Sequence, residues 1–384
     1  MLWPDSVVLA GQAIALADVR ADVTIYHGRQ DALSEPTAST AQLVFHDVDR
    51  AFVRAFDVGA ELYVTAKNGA GVSSRRFTGR LTDARLDVDE LTAIATGRLA
   101  TLNRLAIATD PAGPVWPVEP WSARVARIFQ LGAVDDLLDL QADPAFDPPL
   151  AARDPATAGA TTVGDYLNFV LPSVGATALD TPDGLIRVQA LGSRVLDADV
   201  ELPPAAIAWA PAWVQVLPIG NVITVRYQGD QGASVTERDD ASVDLYGLEL
   251  AYSIDTPIEA QADAVTRAQT ALQQLAYAHW NIPELPTVTP LELHVGEPVV
   301  LSKMPPASPY DPWTPIVEGW SEQLAGLPQS WTMLVALSDP ALSGLTLLPW
   351  DAVPEGYLWT TIDQLVQWRE ALTLDDLVGG AAHA

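Results

Sequence analysis

The sequence predicts a mainly β chain with an α+β insert: two related β-barrel domains, a small α+β insert domain and a short helical C-terminal extension. Three observations carry that reading. Apolar/polar alternation bounded by turn residues recurs early and late, as in Asp22-Val23-Thr24-Ile25-Tyr26 and Val222-Ile223-Thr224-Val225-Arg226-Tyr227. Between these stretches the spacing becomes helical. The form V-G-x-x-apolar-x-apolar occurs twice, at 58–64 and at 295–301, and each copy precedes a loop and a further strand. A chain of 384 residues is long enough to bury a separate core in each part.

In chain order, residues 1–110 form the first β-domain. Its strands are expected at 22–26, 42–45, 61–65 and 76–81, with Lys67-Asn68-Gly69 as a hairpin turn and an Ala/Thr-rich strand pair over 91–102. Four prolines in 111–120 mark a boundary. The insert covers 115–200. Ser122 is expected to cap a helix with Val125, Ile128 and Phe129 on one face, closed by Gly132. A second helix starts at Thr162 with Asp165 in capping-box spacing, and Thr181-Pro182-Asp183-Gly184 turns into the strand Leu185-Ile186-Arg187-Val188.

The second β-domain covers 205–340, with strands at 222–227, 242–247, 291–295, 298–301 and 331–338. One long helix, 256–279, is expected to interrupt it. Thr256 and Glu259 read as a capping box with Pro257 in the first turn, His279 ends the inward face, and Pro283, Pro286 and Pro290 follow. Gly79 and Gly319 are read as equivalent glycines in the strand after each V-G echo. Residues 341–384 form the extension, where Thr361-Ile362-Asp363-Gln364-Leu365 and Thr373-Leu374-Asp375-Asp376-Leu377 repeat one helix-start pattern. Trp350, Trp359 and Trp368, nine residues apart, together with Leu365 and Leu377, are the candidate partner-docking residues; packing on their own domain is the other reading of the tryptophans.

Composition narrows the function. Forty-nine acidic against 21 basic residues give a net charge of −28, which repels a polyanion and argues against tight nucleic-acid binding. The same charge suits either a soluble surface or the lining of a DNA conduit. The absence of cysteine removes disulfides, thiolate nucleophiles and Cys-ligated metals. The start lacks the basic region of a signal peptide, and the most apolar window, 202–225, carries four prolines, so no membrane segment is expected. The five histidines, His27, His46, His279, His294 and His383, include no H-E-x-x-H and no pair at ligand spacing. No G-x-S-x-G elbow, P-loop or dinucleotide fingerprint occurs. Asp135-Asp136 and Asp239-Asp240 are expected as solvated surface among many carboxylates. No cofactor and no metal are expected, and the chain reads as a non-enzyme.

Residues 20–340 resemble a family, the baseplate-hub or minor tail proteins of siphophages, particularly those infecting actinobacteria. The resemblance rests on Val23-Thr24-Ile25-Tyr26-His27-Gly28-Arg29 with Pro36-Thr37-Ala38-Ser39, and on Arg76-Phe77-Thr78-Gly79-Arg80-Leu81-Thr82-Asp83. It continues through Asn221-Val222-Ile223-Thr224-Val225, Asp240-Ala241-Ser242, Leu293-His294-Val295-Gly296-Glu297 and the closing Trp331-Thr332-Met333-Leu334-Val335-Ala336-Leu337-Ser338. The family implies a structural virion protein at the tail tip, assembled in the host cytoplasm. It further implies a homotrimer whose six barrels match a sixfold tail tube. The implied partners are distal tail and other tail-tip proteins, with the tape measure protein or fibres as further candidates. The alternatives are a carbohydrate-binding tail protein that recognises the host cell wall and, behind it, a wall hydrolase with clustered carboxylates in a cleft.

Overall fold

The structure is a computed structural model. It describes residues 3–339 apart from 10–11, 16–19, 30–36, 55, 68–71, 109, 111–112, 114, 154–161, 195–199, 203, 208–210, 217–218, 228–232, 289–290, 311 and 326–329, and beyond them only 347–349 and 367–369.

The first part is built of β1 (Trp3–Leu9), β2 (Gln12–Ala15), β3 (Ala21–Gly28), β4 (Thr40–Phe45), the single turn α1 (Arg50–Val53), β5 (Glu61–Lys67), β6 (Ser73–Asp87) and β7 (Glu90–Thr96). Alternation sends Val23, Ile25, Leu43, Phe45, Leu62, Val64 and Phe77 inward to one fully buried core. Each such side chain contributes about 1.5–3 kcal/mol by leaving water. β5 and β6 pair antiparallel from Lys67↔Ser73, although the expected Asn68-Gly69 turn itself lies outside the described residues. The strand pair expected over 91–102 is only half realised. After β7 the chain forms the helical turn α2 (Leu99–Leu102), because the Asp180 carboxylate accepts the Leu99 N–H at 2.7 Å and caps it from a distance.

The insert follows with β8 (Glu119–Pro120), α3 (Trp121–Leu131), β9 (Leu138–Gln141), β10 (Pro149–Leu150), α4 (Val163–Val170), β11 (Thr177–Asp180) and β12 (Ile186–Gln189). The Thr162/Asp165 capping box forms as expected, with both N–H···O bonds at 3.1 Å. Ser122 does not cap α3. That helix starts one residue earlier, and the Asp147 carboxylate accepts from both the Ser122 N–H and its hydroxyl. The Thr181–Gly184 turn closes the β11–β12 hairpin, with Gly184 in the left-handed region (φ +94°).

The chain continues through β13 (Val200–Leu202), β14 (Val214–Val216), β15 (Val222–Tyr227), β16 (Ala233–Arg238), α5 (Asp240–Tyr246), β17 (Ala251–Asp255), α6 (Gln261–Leu275), β18 (His279–Thr287), β19 (Val299–Leu301), β20 (Ile316–Ala325) and β21 (Ser330–Ser338). Three expectations fail here for local reasons. The 242–247 stretch is helix, since Asp239 caps Ser242 N–H at 2.8 Å and Gly247 closes the turn with φ +66°. The long helix begins at Gln261, because Thr256 donates its hydroxyl to the Arg226 carbonyl and Ile258 bridges to Leu150, which keeps 256–258 extended. It ends at Leu275, and His279 opens a strand. Pro283 and Pro286 lie inside β18, where the ladder to β21 is irregular between Ile282 and Leu285; residues 291–294 form no strand.

Helix α6 buries Ala264, Arg267, Ala268, Ala271 and Leu272. They share one apolar cluster with Trp116, Trp121, Phe129 and Leu167 of the insert and with Ile223 and Val225 of β15. The helix therefore packs with the insert and not inside the second β-sheet. A third cluster, with Leu285, Val317, Trp320 and Val335, fills the late strands.

Among the described residues the principal sheet has eleven strands in the order β14-β18-β21-β20-β3-β4-β7-β6-β5-β1-β2. The series β14-β18-β21-β20 repeats β3-β4-β7-β6. The correspondence extends to single bonds. Gly59 N–H donates to Leu81 O at 2.7 Å while Leu81 N–H donates to Ala60 O; Gly296 N–H donates to Val317 O at 2.7 Å while Val317 N–H donates to Glu297 O. Both glycines have positive φ, +94° and +87°. The ladder β6·β7 then slips between Leu81 and Asp83, and β20·β21 slips between Val317 and Gly319. Likewise His46 N–H to Arg20 O matches Val288 N–H to Ala206 O, each 2.8 Å. The V-G echo thus marks the same point of two related half-sheets. Gly79 and Gly319 occupy corresponding strands but not corresponding positions, since Gly79 precedes the slip and Gly319 follows it.

Candidate functional site

The two half-sheets meet where β3 pairs antiparallel with β20, from Gly28↔Gly319 to Asp22↔Ala325. The backbones cross so tightly at one end that a Cβ on Gly28 would stand 2.2 Å from the Glu318 carbonyl oxygen, and one on Gly319 2.5 Å from the His27 and Arg29 carbonyls. Only glycine fits there.

β20 carries two buried glutamates at this seam, Glu318 and Glu322. The Arg29 guanidinium, just past β3, bonds Glu318 Oε2 at 2.7 Å; Arg194 of the insert lies 3.6 Å from Oε1, and the Ser338 hydroxyl donates to the same oxygen. Burial favours the protonated acid, but the two arginines and the hydroxyl outweigh it and hold the Glu318 carboxyl below its ordinary range. Burial in turn lowers the Arg194 guanidinium. Glu322 accepts Arg76 Nε at 3.0 Å and Nη2 at 2.9 Å on one oxygen, and Trp331 Nε1–H at 2.7 Å on the other. Three separate parts of the chain, the residue after β3, β6 and the insert, thus each supply a cation to one strand. Removing one partner of such a pair costs about 3–5 kcal/mol, because it strands a charge in the interior.

His27 sits beside the seam, with its ring centroid 4.8 Å from that of Trp320. Nε2–H donates to the Arg76 carbonyl at 2.7 Å and Nδ1 accepts the Ser39 hydroxyl at 2.8 Å, so both nitrogens are satisfied in the neutral ring. Burial pushes its pKa down to about 4. The Ser39 N–H donates to Asp180 Oδ2 at 2.8 Å, and burial raises that carboxyl to about 6 against the backbone N–H bonds that oppose it. His27, Ser39 and Asp180 are three residues of a familiar catalytic set in another order: the acid binds the serine backbone, not the imidazole. The arrangement cross-links β3, the residue preceding β4 and the insert, and both His27 and Ser39 are buried.

Beside Arg76 a cleft of about 310 Å³ opens between the first half-sheet, the insert and the 292–294 loop, lined by Arg75, Arg187, Asp139, Asp183, Glu292 and His294 among others. Its cations are already committed: Arg187 pairs with Asp139 and Glu297, and Arg75 stacks on Tyr63 at 4.2 Å. Asp135 and Asp136 are exposed, while Asp239 is spent as a helix cap. His46 lies between Asp22 and Glu90 at the surface; His279 Nε2 lies 3.0 Å from the Gln274 carbonyl; His383 is outside the described residues. Among the described residues no group of three or more His, Asp or Glu could hold a metal ion, and no helix is long and apolar enough to cross a membrane.

Of the expected docking residues, Trp350, Trp359, Leu365 and Leu377 lie outside the described residues. Trp368 falls on β23 (Gln367–Arg369), which pairs in parallel with β22 (Leu347–Pro349) at Leu348↔Trp368. Sequence reasoning missed the seam. Its available signal was Glu318 and Glu322 in a strand whose other members, Val317, Trp320 and Leu324, are apolar, which marks inward charge in need of partners.

No protein-family model matches the sequence, and no curated protein matches it. Solved structures do match the fold. The tail protein from Neisseria meningitidis superposes with a TM-score of 0.61 at 13% identity over 88% of this chain and 97% of that one. The 43 kDa tail protein of prophage MuSo2 from Shewanella oneidensis gives 0.60 at 11% identity over 88% and 99%. A prophage tail protein from Listeria monocytogenes gives 0.56 at 11% identity over 87% and 94%. At such identities the likeness is one of fold, and it spans nearly the whole of each relative.

Proposed function

We propose that this chain is a structural protein of a phage tail tip, a hub that joins the tail tube to host-facing tail proteins and acts without catalysis. The observation that carries the reading is the pair of equivalent half-sheets fixed edge to edge by a glycine crossing and buried ion pairs. A rigid duplicated platform suits a part that converts between symmetries, and the near-complete overlap with phage tail proteins supports it.

The finer reading comprises the four parts 1–110, 115–200, 205–340 and 341–384, with the 222–276 segment packed on the insert. A homotrimer of this chain then presents six β-domains in a ring in the virion. The extension docks a neighbouring tail protein, the tape measure protein or a fibre through Trp350, Trp359, Trp368, Leu365 and Leu377. Imaging of virions labelled through this chain, together with the solution mass of the purified chain, tests this. A label at the tail end and a trimer mass are expected; a label along the tail shaft, or none, refutes the reading. Deletion of 345–384 tests the docking: loss of tail assembly with the body's melting point unchanged is expected, and the converse assigns those residues to the body.

A further inference from the structure

Four arginines are buried among the described residues: Arg76, Arg124, Arg194 and Arg267. Three of them face a glutamate. Arg76 lies 2.9 Å from Glu322, Arg124 2.5 Å from Glu119 and Arg194 3.6 Å from Glu318. Arg267, in the middle of α6, forms no ion pair among the described residues. Its Nε–H donates to the Pro172 carbonyl at 2.7 Å, while Nη1 has no acceptor. Burying an unpaired cation is costly, and a chain with 49 acidic residues has no shortage of carboxylates to set against it.

The guanidinium lies against the single turn Leu171–Val174 that follows α4. Gly175 closes that turn with φ +63°, and a Cβ there would stand 3.3 Å from Arg267 Nη2 and 3.4 Å from Cζ. Within the same turn Ser173 is wholly buried, and its hydroxyl has no partner either. Two buried donors, one of them charged, are thus left without acceptors where α6 meets the insert, although buried polar groups in native folds are paired almost throughout. Burial lowers the guanidinium to about 10, against the Tyr252 phenol, so Arg267 keeps its charge at neutral pH. Tyr252 is 42% exposed, which sets the junction close to solvent.

We propose that Arg267 and Ser173 hold a small monovalent anion, a halide such as chloride, as an exchangeable counter-ion between α6 and the Leu171–Val174 turn. One negative charge neutralises the guanidinium. A spherical ion accepts from Nη1–H and from the Ser173 hydroxyl without demanding a fixed angle between them, whereas a dianion would bury a net negative charge in place of the positive one. The ion ties the helix of the second half to the insert in polar terms, at a junction where the two already share one apolar core.

Full-length wild type is unfolded by heat in sodium chloride and in sodium gluconate at equal ionic strength, so that screening is the same and only the size of the anion differs. Chloride is expected to raise the midpoint by about 2–3 °C and to saturate. Arg267→Met is expected to unfold alike in the two salts, and Ser173→Ala to weaken the apparent chloride affinity by about tenfold. Equal wild-type midpoints in the two salts overturn the proposal, and so does a chloride effect that persists in Arg267→Met. Wild-type crystals soaked in sodium bromide give a reading that does not require the variant to fold. An anomalous peak in contact with Nη1 is expected, and a water molecule in its place overturns the site. A bromide peak with no chloride effect in solution marks binding at crystal concentration only, and also overturns it.

Discussion

The two half-sheets have the same strand order and the same glycine turn, yet corresponding positions have opposite fates. Leu86 in the first is half exposed; its counterpart in the second is Glu322, wholly buried and ion-paired. A leucine outside and a glutamate inside invert the usual partition. The inversion shows that burial here is decided by which strand lies alongside and not by residue type. The halves also differ in what fills the connection between their first and second strands. In the first it is the short stretch 29–39; in the second it is a sheet of β15–β17 with α5 and α6, whose core merges with the insert.

The contrast at this position is broken most severely by Glu322→Ala, which leaves Arg76 charged and unpaired in the interior. A loss of about 3–5 kcal/mol is expected from urea unfolding of the whole chain, against under about 0.5 kcal/mol for Leu86→Ala at the matching site. Equal losses would mean that the equivalence is wrong.

The first half is tied to the insert through Asp180 and braced within itself by His27, and pH separates the two contributions. Asp180, which holds the first half, has its folded pKa raised from 3.8 to about 6. Its neutral form is the one the fold prefers, so the stability it gives is complete below about 3.8 and is lost as pH rises through about 6. His27 acts in the opposite sense: with its pKa lowered from 6.5 to about 4, its contribution is complete above about 6.5 and fades as pH falls through about 4. Asp180→Asn is expected to gain on the wild type by about 2–3 kcal/mol between pH 4 and pH 7, read from denaturant midpoints. A difference that stays flat with pH would show that the carboxyl is ionised in the fold at ordinary cost.

The two echo glycines sharpen the comparison further. A Cβ on Gly59 meets nothing within 4 Å, whereas one on Gly296 would stand 2.0 Å from the Gln189 amide oxygen of the insert. Gly59→Ala should cost only the left-handed strain, about 1–2 kcal/mol. Gly296→Ala should cost that and the displacement of Gln189 besides. The smallest effect is expected at the insert, where Thr162→Ala removes one half of a capping box for about 1 kcal/mol in thermal unfolding.

Legibility in the sequence followed the range of the interactions. The V-G echo was readable because one glycine with positive φ serves a turn a few residues long, and the Thr162/Asp165 box because both partners lie within one helical turn. Helix α5 was misread as a strand although Asp239 and Gly247 bracket it, since Val243 and Leu245 alternate over too few residues to separate the two periods. The extended 256–258 segment was misread because the partner of Thr256 is the carbonyl of Arg226, thirty residues back. The seam's pairing was out of reach for the same reason carried further: Glu318 and Glu322 mark inward charge, but Arg76 and Glu322 are 246 residues apart and nothing local in either names the other.

That separation has a consequence in time. Arg29 and Glu318 stand 289 residues apart, so at a synthesis rate of about 5–20 residues per second roughly 15–60 s pass between the emergence of β3 and that of the strand that covers it. Throughout that interval the nascent first half-sheet presents an unpaired edge, of the kind that recruits other chains on the same messenger. Shielding of that edge during translation is expected to favour correct folding. Yield in a heterologous host is then expected to rise with chaperone supply and with a lower growth temperature.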